Sequence, residues 1–458
     1  MKVAFHSLGC KVNSYETDAM RQSLIHAGYE DAEFAPGADI YVINTCTVTN
    51  VADRKSRQML HRAKEMNPDA VVVAAGCYVH DAGEKLTADP AVDIIVGNHE
   101  KNRLPEILDE YFRNRESGKK MAVSNINGVR EYDELHFVPD GEHTRAFIKV
   151  QDGCNQFCSY CMIPYVRGRV RSRRPGEVMK EIRDLIGRGY QEFVLTGIHI
   201  SSYGLDFDFP GQNRQTPYAS EARTNRHLLG LMQDVAAIPG VMRLRLGSLE
   251  PGIITEEFAA ELAKIPEFCP SFHLSMQSGC DATLVRMKRK YSTADFMDKC
   301  EILRGHFVKP SITTDIITGF PGETEEEFAQ TVEFVRKVGF ARTHIFKFSV
   351  RRGTAAERMP GQNTEKTKAE RSGVLLEIDR ERRAAYAESF IGETVSVLFE
   401  DRTTVDGKSM LTGYTREYVP VLMETEEDLM NRILDVRAVS VTSQGEIIAS
   451  PGSVKEGA

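Results

Sequence analysis

Gly153-Cys-Asn-Gln-Phe-Cys-Ser-Tyr-Cys161 follows closely on the strand-like run Ala146–Val150. It places Cys154, Cys158 and Cys161 in a CxxxCxxC triad on one short loop. Thiolates are natural ligands of iron–sulfur clusters. Three of them hold three irons of a cubane and leave the fourth iron open. Structural zinc prefers four protein ligands, usually as two CxxC-type pairs, and no fourth ligand is near. The chain holds nine cysteines, and its start, Met1-Lys-Val-Ala-Phe5, shows no secretory pattern. The expected location is therefore the cytoplasm, which keeps thiols reduced, so ligation is the expected use of well-spaced cysteines.

An open iron can chelate the amino and carboxylate groups of S-adenosylmethionine. One electron from the cluster then breaks a C–S bond and leaves a 5′-deoxyadenosyl radical. The strand before the triad begins a series that suits such chemistry. Ala146–Val150, Glu192–Leu195, Arg243–Leu246, Ser271–Leu274, Thr313–Ile317 and His344–Phe348 read as strands. Helical patterns such as Glu177–Gly187, Glu256–Lys264 and Glu325–Val338 lie between them. Six strand–helix units predict a partial (βα)6 TIM-type barrel, with chemistry at the C-terminal ends of its strands.

On the N-terminal side, Lys2–Leu8, Asp39–Asn44, Val71–Ala75 and Asp93–Val96 read as strands, with helical patterns at Tyr15–Ala27 and Ala52–Met66. That alternation predicts an open parallel sheet with helices on its faces. Cys10, Cys46 and Cys77 each fall about two residues past a strand end. Loops after the strands of such a sheet gather along one edge, where ligands bind. Taken singly, each could equally be a buried small hydrophobe. Cys269, Cys280 and Cys300 have no partner at ligand spacing and read as core filler.

Further along, acidic Glu131–His143 reads as a linker, residues 208–226 as an insertion and Glu365–Glu388 as a long charged helix. Thr394–Phe399, Leu411–Leu422 and Ile433–Val441 are strand-like, with a turn signal at Asp406-Gly407, and predict a small all-β barrel. The fold class is thus α/β in three domains, at 1–130, 144–388 and 391–458. The 458-residue chain is 41% hydrophobic and has no apolar run long enough to span a membrane. Its net charge of −8 argues against diffuse nucleic-acid binding, though not against a local basic patch.

The triad resembles that of the radical S-adenosylmethionine superfamily. With the three earlier cysteines added, the chain resembles its methylthiotransferase family over nearly its whole length. Leu8-Gly-Cys-Lys-Val-Asn-Ser-Tyr-Glu16, Asn44-Thr-Cys-Thr-Val-Thr49 and Ala75-Gly-Cys-Tyr78 match the family's three cysteine motifs. Phe193-Val-Leu-Thr-Gly197, Gly247-Ser-Leu-Glu-Pro251, His273-Leu-Ser-Met-Gln-Ser-Gly279 and Asp315-Ile-Ile-Thr-Gly-Phe-Pro-Gly-Glu-Thr324 match its barrel motifs. The tail resembles the RNA-binding TRAM barrel.

The resemblance implies two [4Fe-4S] clusters, one on Cys154, Cys158 and Cys161 and one on Cys10, Cys46 and Cys77, the latter carrying the sulfur to be inserted. It implies that Gly197, Glu250, Gln277, Arg286 and Asp315 hold S-adenosylmethionine, although Asp315 could equally be a structural carboxylate. Gly319-Phe-Pro-Gly322 could be a close approach to a ligand or only a turn. It further implies tRNA as substrate, an electron donor such as flavodoxin or ferredoxin, a sulfur source and no membrane. The family divides among isopentenyladenosine in tRNA, threonylcarbamoyladenosine in tRNA and an aspartate of a ribosomal protein. Gly9–Glu16 and Asn44–Gln58 look most like the threonylcarbamoyladenosine branch. A non-catalytic iron–sulfur RNA-binding protein is the reading from another class.

Arg167, Arg169, Arg171, Arg173 and Arg174 follow the triad with no acid among them, and Arg286, Lys288, Arg289 and Lys290 form a second run. Such runs are solvated faces or, near an active site, grips for phosphate. The first is the expected RNA contact. The tail from Ile391 to Ala458 runs against a simple RNA reading, with 12 Asp or Glu against 6 Lys or Arg.

Overall fold

The computed structural model describes residues 1–114, 118–135, 144–208, 225–405 and 407–451, excluding the side chain of Glu84. Six parallel strands form the N-terminal sheet: β1 (Lys2–Ser7), β2 (Glu30–Ala32), β3 (Ile40–Thr45), β4 (Val71–Gly76), β5 (Ile94–Val96) and β6 (Lys120–Ala122). Their order is β2-β1-β3-β4-β5-β6. The central β3 and β4 are buried along their whole length, as sequences covered on both faces must be. Val3, Val42 and Val73 pack under helices Lys11–His26 and Leu104–Arg113. Ala4, Ile43 and Val72 pack under Asn50–Met66 on the other side. The edge strands β2 and β6 go unmarked in the sequence because each is three residues long and only partly buried.

The central unit contains β7 (Arg145–Asp152), β8 (Arg171–Ser172), β9 (Glu192–Gly197), β10 (Arg243–Leu246), β11 (Ser271–His273), β12 (Ser311–Thr318) and β13 (Arg342–Lys347). They form two sheets, β10-β9-β7-β8 and β11-β12-β13. The bridges Leu244↔Phe268 and Leu249↔Leu274 join them. The result is an open barrel of six parallel strands. The two-residue β8 is antiparallel to β7 and lies outside the expected series. Ile148, Leu195, Leu246 and Ile316 pack against the surrounding helices. On β12 the alternate residues Thr313 and Asp315 stay half-buried on the opposite face, which leaves polar groups inside the barrel.

The C-terminal unit is a closed five-stranded barrel of β14 (Thr394–Val405), β15 (Lys408–Thr415), β16 (Pro420–Glu424), β17 (Ile433–Val441) and β18 (Ile447–Pro451). The sequence run Leu411–Leu422 is corrected to two antiparallel strands, β15 and β16, with a turn at Tyr418 (φ 69°). Asp406 of the expected turn, residues 136–143 of the linker and 209–224 of the insertion lie outside the described residues.

This small barrel docks on the N-terminal ends of β7, β9 and β10. Arg243 donates to the Tyr414 and Ser396 carbonyls at 3.0 and 2.8 Å, and Arg245 to those of Thr415 and Arg416 at 2.8 and 2.6 Å. Glu192, fully buried, pairs with Arg145, Arg243 and Arg245. Burial opposes its charge, yet Arg245 and Arg145 outweigh that and hold the carboxyl at about 2.

Glu192→Ala therefore leaves Arg243 and Arg245 without a carboxylate partner among the described residues, while Arg145 keeps Glu400. We expect a loss of about 3–5 kcal/mol, measured by denaturant unfolding. Because the folded pKa is depressed, this stabilisation is complete above the ordinary glutamate range near 4.5 and fades as pH falls through about 2. A deficit that stays constant as pH falls from about 5 to about 2 would contradict the pairing.

Candidate active site

Cys10 caps the helix Lys11–His26, Cys46 immediately follows β3, and Cys77 begins the helix after β4. All three stand at the C-terminal edge of the parallel sheet, as its topology requires. Gly9 lies at φ 103°, and a Cβ there would meet Cys46 Sγ at 2.8 Å, so only glycine lets the first cysteine loop approach the second. Asn13 binds the loops together by donating to the Leu8 and Thr45 carbonyls at 2.7 and 3.0 Å. The Cys46 backbone is clasped by Ser56, whose hydroxyl accepts from its N–H at 3.2 Å and donates to its carbonyl at 3.0 Å.

The second triad follows β7. Gly153 (φ 71°) turns the chain against the Arg169 carbonyl, leaving no room for a Cβ. The Cys154 N–H donates to the Gly168 carbonyl at 3.0 Å, and Ser159 fastens the loop to Met287 and Arg286 at 3.1 and 2.8 Å. Arg289 donates to Cys158 Sγ at 3.2 Å and to Glu250 Oε2 at 2.8 Å. Burial works against the Glu250 carboxylate, but Arg289 and His199 more than compensate and lower its pKa. Its Oε1 is buried with no hydrogen-bond partner. A buried acceptor beside three thiols fits a ligand that brings donors, such as an ammonium or ribose hydroxyls.

Burial pushes the Cys154 and Cys161 thiols up, Cys161 to about 12, and their neighbouring cysteines add to the rise. Cys46 is pushed up to about 11, first by burial. Iron relieves that cost by replacing the protons. Among the described residues no three His, Cys, Asp or Glu side chains converge on one ion position. A cubane does not ask for that, since each thiolate takes a different iron.

A buried ion cluster joins the triads. Glu16 is fully buried and pairs with Lys101, Lys149 and Arg167. Asp152, at the end of β7, accepts from Lys149 at 2.7 Å and Arg167 at 3.2 Å. Arg167 also donates to Asn13 Oδ1 at 2.6 Å and to Cys77 Sγ at 3.2 Å. The loop carrying the second triad is thus fastened to the helix that follows Cys10, directly by Arg167 and through Lys149 and Arg167 by Asp152, which shares these cations with Glu16. A second tie lies beyond β13, where Arg351 binds Asp53, Asp81 and Thr47 at 2.7–2.8 Å, next to Cys46.

These contacts correct the expected RNA grip. Arg167, Arg171 and Arg173 are buried, and their charges go to carboxylates: Arg167 and Arg171 to Asp152, Arg173 to Glu134 and Glu181. Arg174 is exposed, 4.6 Å from the Phe207 ring, and half-buried Arg169 lies 4.5 Å from that of Phe157. Arg286, expected at the cofactor, is placed beside α-helical Glu327. Its guanidinium is engaged by Glu327 and Thr283, and Arg289 is the member of that run that reaches the triad.

Gly197 ends β9 against the Gln151 side chain, and Gln277 takes a left-handed turn (φ 68°) beside Asp315, whose carboxylate lies 3.4 Å from His273. Gly319-Phe-Pro-Gly322 forms a turn fastened by Glu323 and Gly361. Cys269, Cys280 and Cys300 are buried. Sequence reasoning named Arg289 only as part of a basic run, and missed Arg351 and the structural use of Glu16. One signal was available for Glu16: it shares the helix face of Val12 and Met20, where a carboxylate demands a buried partner.

The family model described as uncharacterized protein family UPF0004 matches residues 2–97, and that of the radical SAM superfamily matches 148–335. The threonylcarbamoyladenosine tRNA methylthiotransferase MtaB of Bacillus subtilis is 39% identical over 439 residues, covering 95% of this chain and 93% of that protein. Its namesake from Aquifex aeolicus is 37% identical over 398 residues, with 87% and 92% covered. The tRNA-2-methylthio-N(6)-dimethylallyladenosine synthase of Moorella thermoacetica is 33% identical over 438 residues, covering 94% of each. Among solved structures, the radical S-adenosylmethionine methyltransferase TsrM of Kitasatospora setae superposes with a TM-score of 0.55 at 16% identity, over 76% of this chain and 74% of that one. That likeness concerns the fold alone.

In iron-free protein the geometry predicts an order of thiol alkylation, read by mass spectrometry. Exposed Cys10 reacts first, while buried Cys46 and Cys154 lag. Equal rates for Cys10 and Cys46 would show that the loops do not close without metal.

Proposed function

The chain belongs to the methylthiotransferase family of radical S-adenosylmethionine enzymes, and we propose that it inserts a methylthio group at carbon 2 of N6-threonylcarbamoyladenosine next to the anticodon of a tRNA. The observation that carries this reading is the 39% identity with the Bacillus subtilis methylthiotransferase over 95% of this chain and 93% of that protein. As a family member the chain uses S-adenosylmethionine and a [4Fe-4S] cluster. Together these supply, when bound, a 5′-deoxyadenosyl radical able to activate an aromatic C–H that acid–base chemistry leaves untouched at neutral pH.

Cys154, Cys158 and Cys161 are the proposed ligands of that cluster. Arg289 orients Cys158 and Glu250 together, and the free Glu250 Oε1 receives the cofactor's donors. Gly197 at the end of β9, Gln277 beyond β11 and Asp315 within β12 are further proposed contacts, and the Asp315 carboxylate lies 3.4 Å from His273. Cys10, Cys46 and Cys77 are proposed to hold a second [4Fe-4S] cluster that presents the sulfur. Their shared sheet edge and the rigid Asn13 and Ser56 bonds support this. A flavodoxin- or ferredoxin-type electron donor and a sulfur source complete the reaction. No helix among the described residues is long and apolar enough to cross a membrane, and the cytoplasm is the proposed location.

The substrate adenosine is presented unpaired, as in an anticodon loop, because sequence-specific RNA recognition favours splayed bases. Arg169 and Arg174 remain as proposed phosphate contacts, each stacked on an aromatic ring. Each Arg→Gln change at these two positions is expected to weaken tRNA binding and to lower the salt slope of log K by about 1, measured by filter binding. An unchanged slope removes that residue from the interface.

The deciding experiment is mass spectrometry of tRNA nucleosides from a strain lacking the gene. The methylthio form of threonylcarbamoyladenosine is expected to vanish and its precursor to accumulate. Accumulation of dimethylallyladenosine instead moves the assignment to the branch represented by the Moorella relative. In reconstituted protein, Cys158→Ala is expected to reduce 5′-deoxyadenosine to background. Persistent formation would overturn the proposed ligand set.

A further inference from the structure

Arg167 lies six residues beyond Cys161, yet its guanidinium contacts the other triad. Its Nε donates to Cys77 Sγ at 3.2 Å, while Nη1 and Nη2 are taken by Glu16, Asp152 and Asn13. The side chain is fully buried. Its fork is therefore fixed from three sides and can meet Cys77 in one way only. Cys77 receives a weaker contact from Asn98 Nδ2 at 3.7 Å, and Asn98 also donates to the Val166 carbonyl at 2.8 Å, one residue before Arg167. The ion cluster holds four cations, Lys101, Lys149, Arg167 and Arg171, against three carboxyl groups at most, Glu16, Asp152 and the nearby Asp133. It thus leaves net positive charge beside the thiolate.

We propose that Arg167 is a positioning residue of the N-terminal cluster: its buried guanidinium fixes Cys77 and raises the reduction potential of the iron–sulfur group on Cys10, Cys46 and Cys77. The inference rests on the reading of those cysteines as cluster ligands. Hydrogen bonds and positive charge at a ligating sulfur stabilise the more negative, reduced form, and so move the potential upward. Because Arg167 belongs to the loop of the other triad, the same bond ties the electronic state of one cluster to the placement of the other.

The test uses full-length protein in which Cys154, Cys158 and Cys161 are alanine, so that only the N-terminal cluster contributes. An EPR-monitored redox titration is expected to give a lower potential for Arg167→Gln, and a smaller drop for Arg167→Lys, which keeps the charge but loses the fork. Pulsed EPR on protein carrying ¹⁵N-arginine and an intact Arg167 is expected to show a nitrogen coupling to the reduced cluster, absent in Arg167→Lys. If Arg167→Gln fails to fold, the labelled protein decides. A cluster with no arginine nitrogen coupling, or a potential unmoved by Arg167→Gln, overturns the role of Arg167. No iron–sulfur signal in the parent protein overturns the cluster reading itself, and the inference with it.

Discussion

Glu16 is the residue on which the arrangement depends. It lies on the buried face of an N-terminal helix and takes charge from Lys101 of its own unit and from Lys149 and Arg167 of the barrel. A buried carboxylate is costly unless its partners saturate it, and removing one partner of such a pair typically costs 3–5 kcal/mol. The pairing therefore fixes one relative placement of sheet and barrel. Asp152 shares the same cations from the other end of the loop that bears Cys154, Cys158 and Cys161. Two cysteine triads far apart in sequence are thereby referred to a single set of charges.

Each triad is served by one arginine, Cys77 by Arg167 and Cys158 by Arg289, both at 3.2 Å. A guanidinium suits this task because it stays charged when buried and bonds in fixed directions. Arg351 adds a second tie between sheet and barrel, where its charge is matched by Asp53 and Asp81. The proposed chemistry moves sulfur from the first triad to an atom activated near the second. Arg167 and Arg351 hold the two triads in one arrangement without any contribution from substrate.

The strands and the six ligand candidates were legible because they depend on short-range pattern. A buried β-branched run and a cysteine just past a strand end mean the same thing in many surroundings. The arginines were not. Arg167, Arg171 and Arg173 look like a basic face, but Glu16 and Glu181 reach them only through the folded chain. A charge in sequence carries no record of its burial. The run between Leu411 and Leu422 was misjudged because the turn sits on Tyr418 at φ 69°, a residue type that carries no turn signal, and the breaker signal of Pro420, the first residue of β16, was passed over. The short strands β2, β6 and β8 carry too few residues to show a period.

The C-terminal barrel is fastened to the starting ends of β7, β9 and β10, whereas the second triad follows the finishing end of β7. β7 is eight residues long, and at about 3.3 Å per residue it separates the two by roughly 26 Å. The strand is thus a ruler built into the enzyme. An RNA that touches both ends must extend well beyond the nucleotide being modified, so a short hairpin and an entire tRNA present themselves to this surface as different objects.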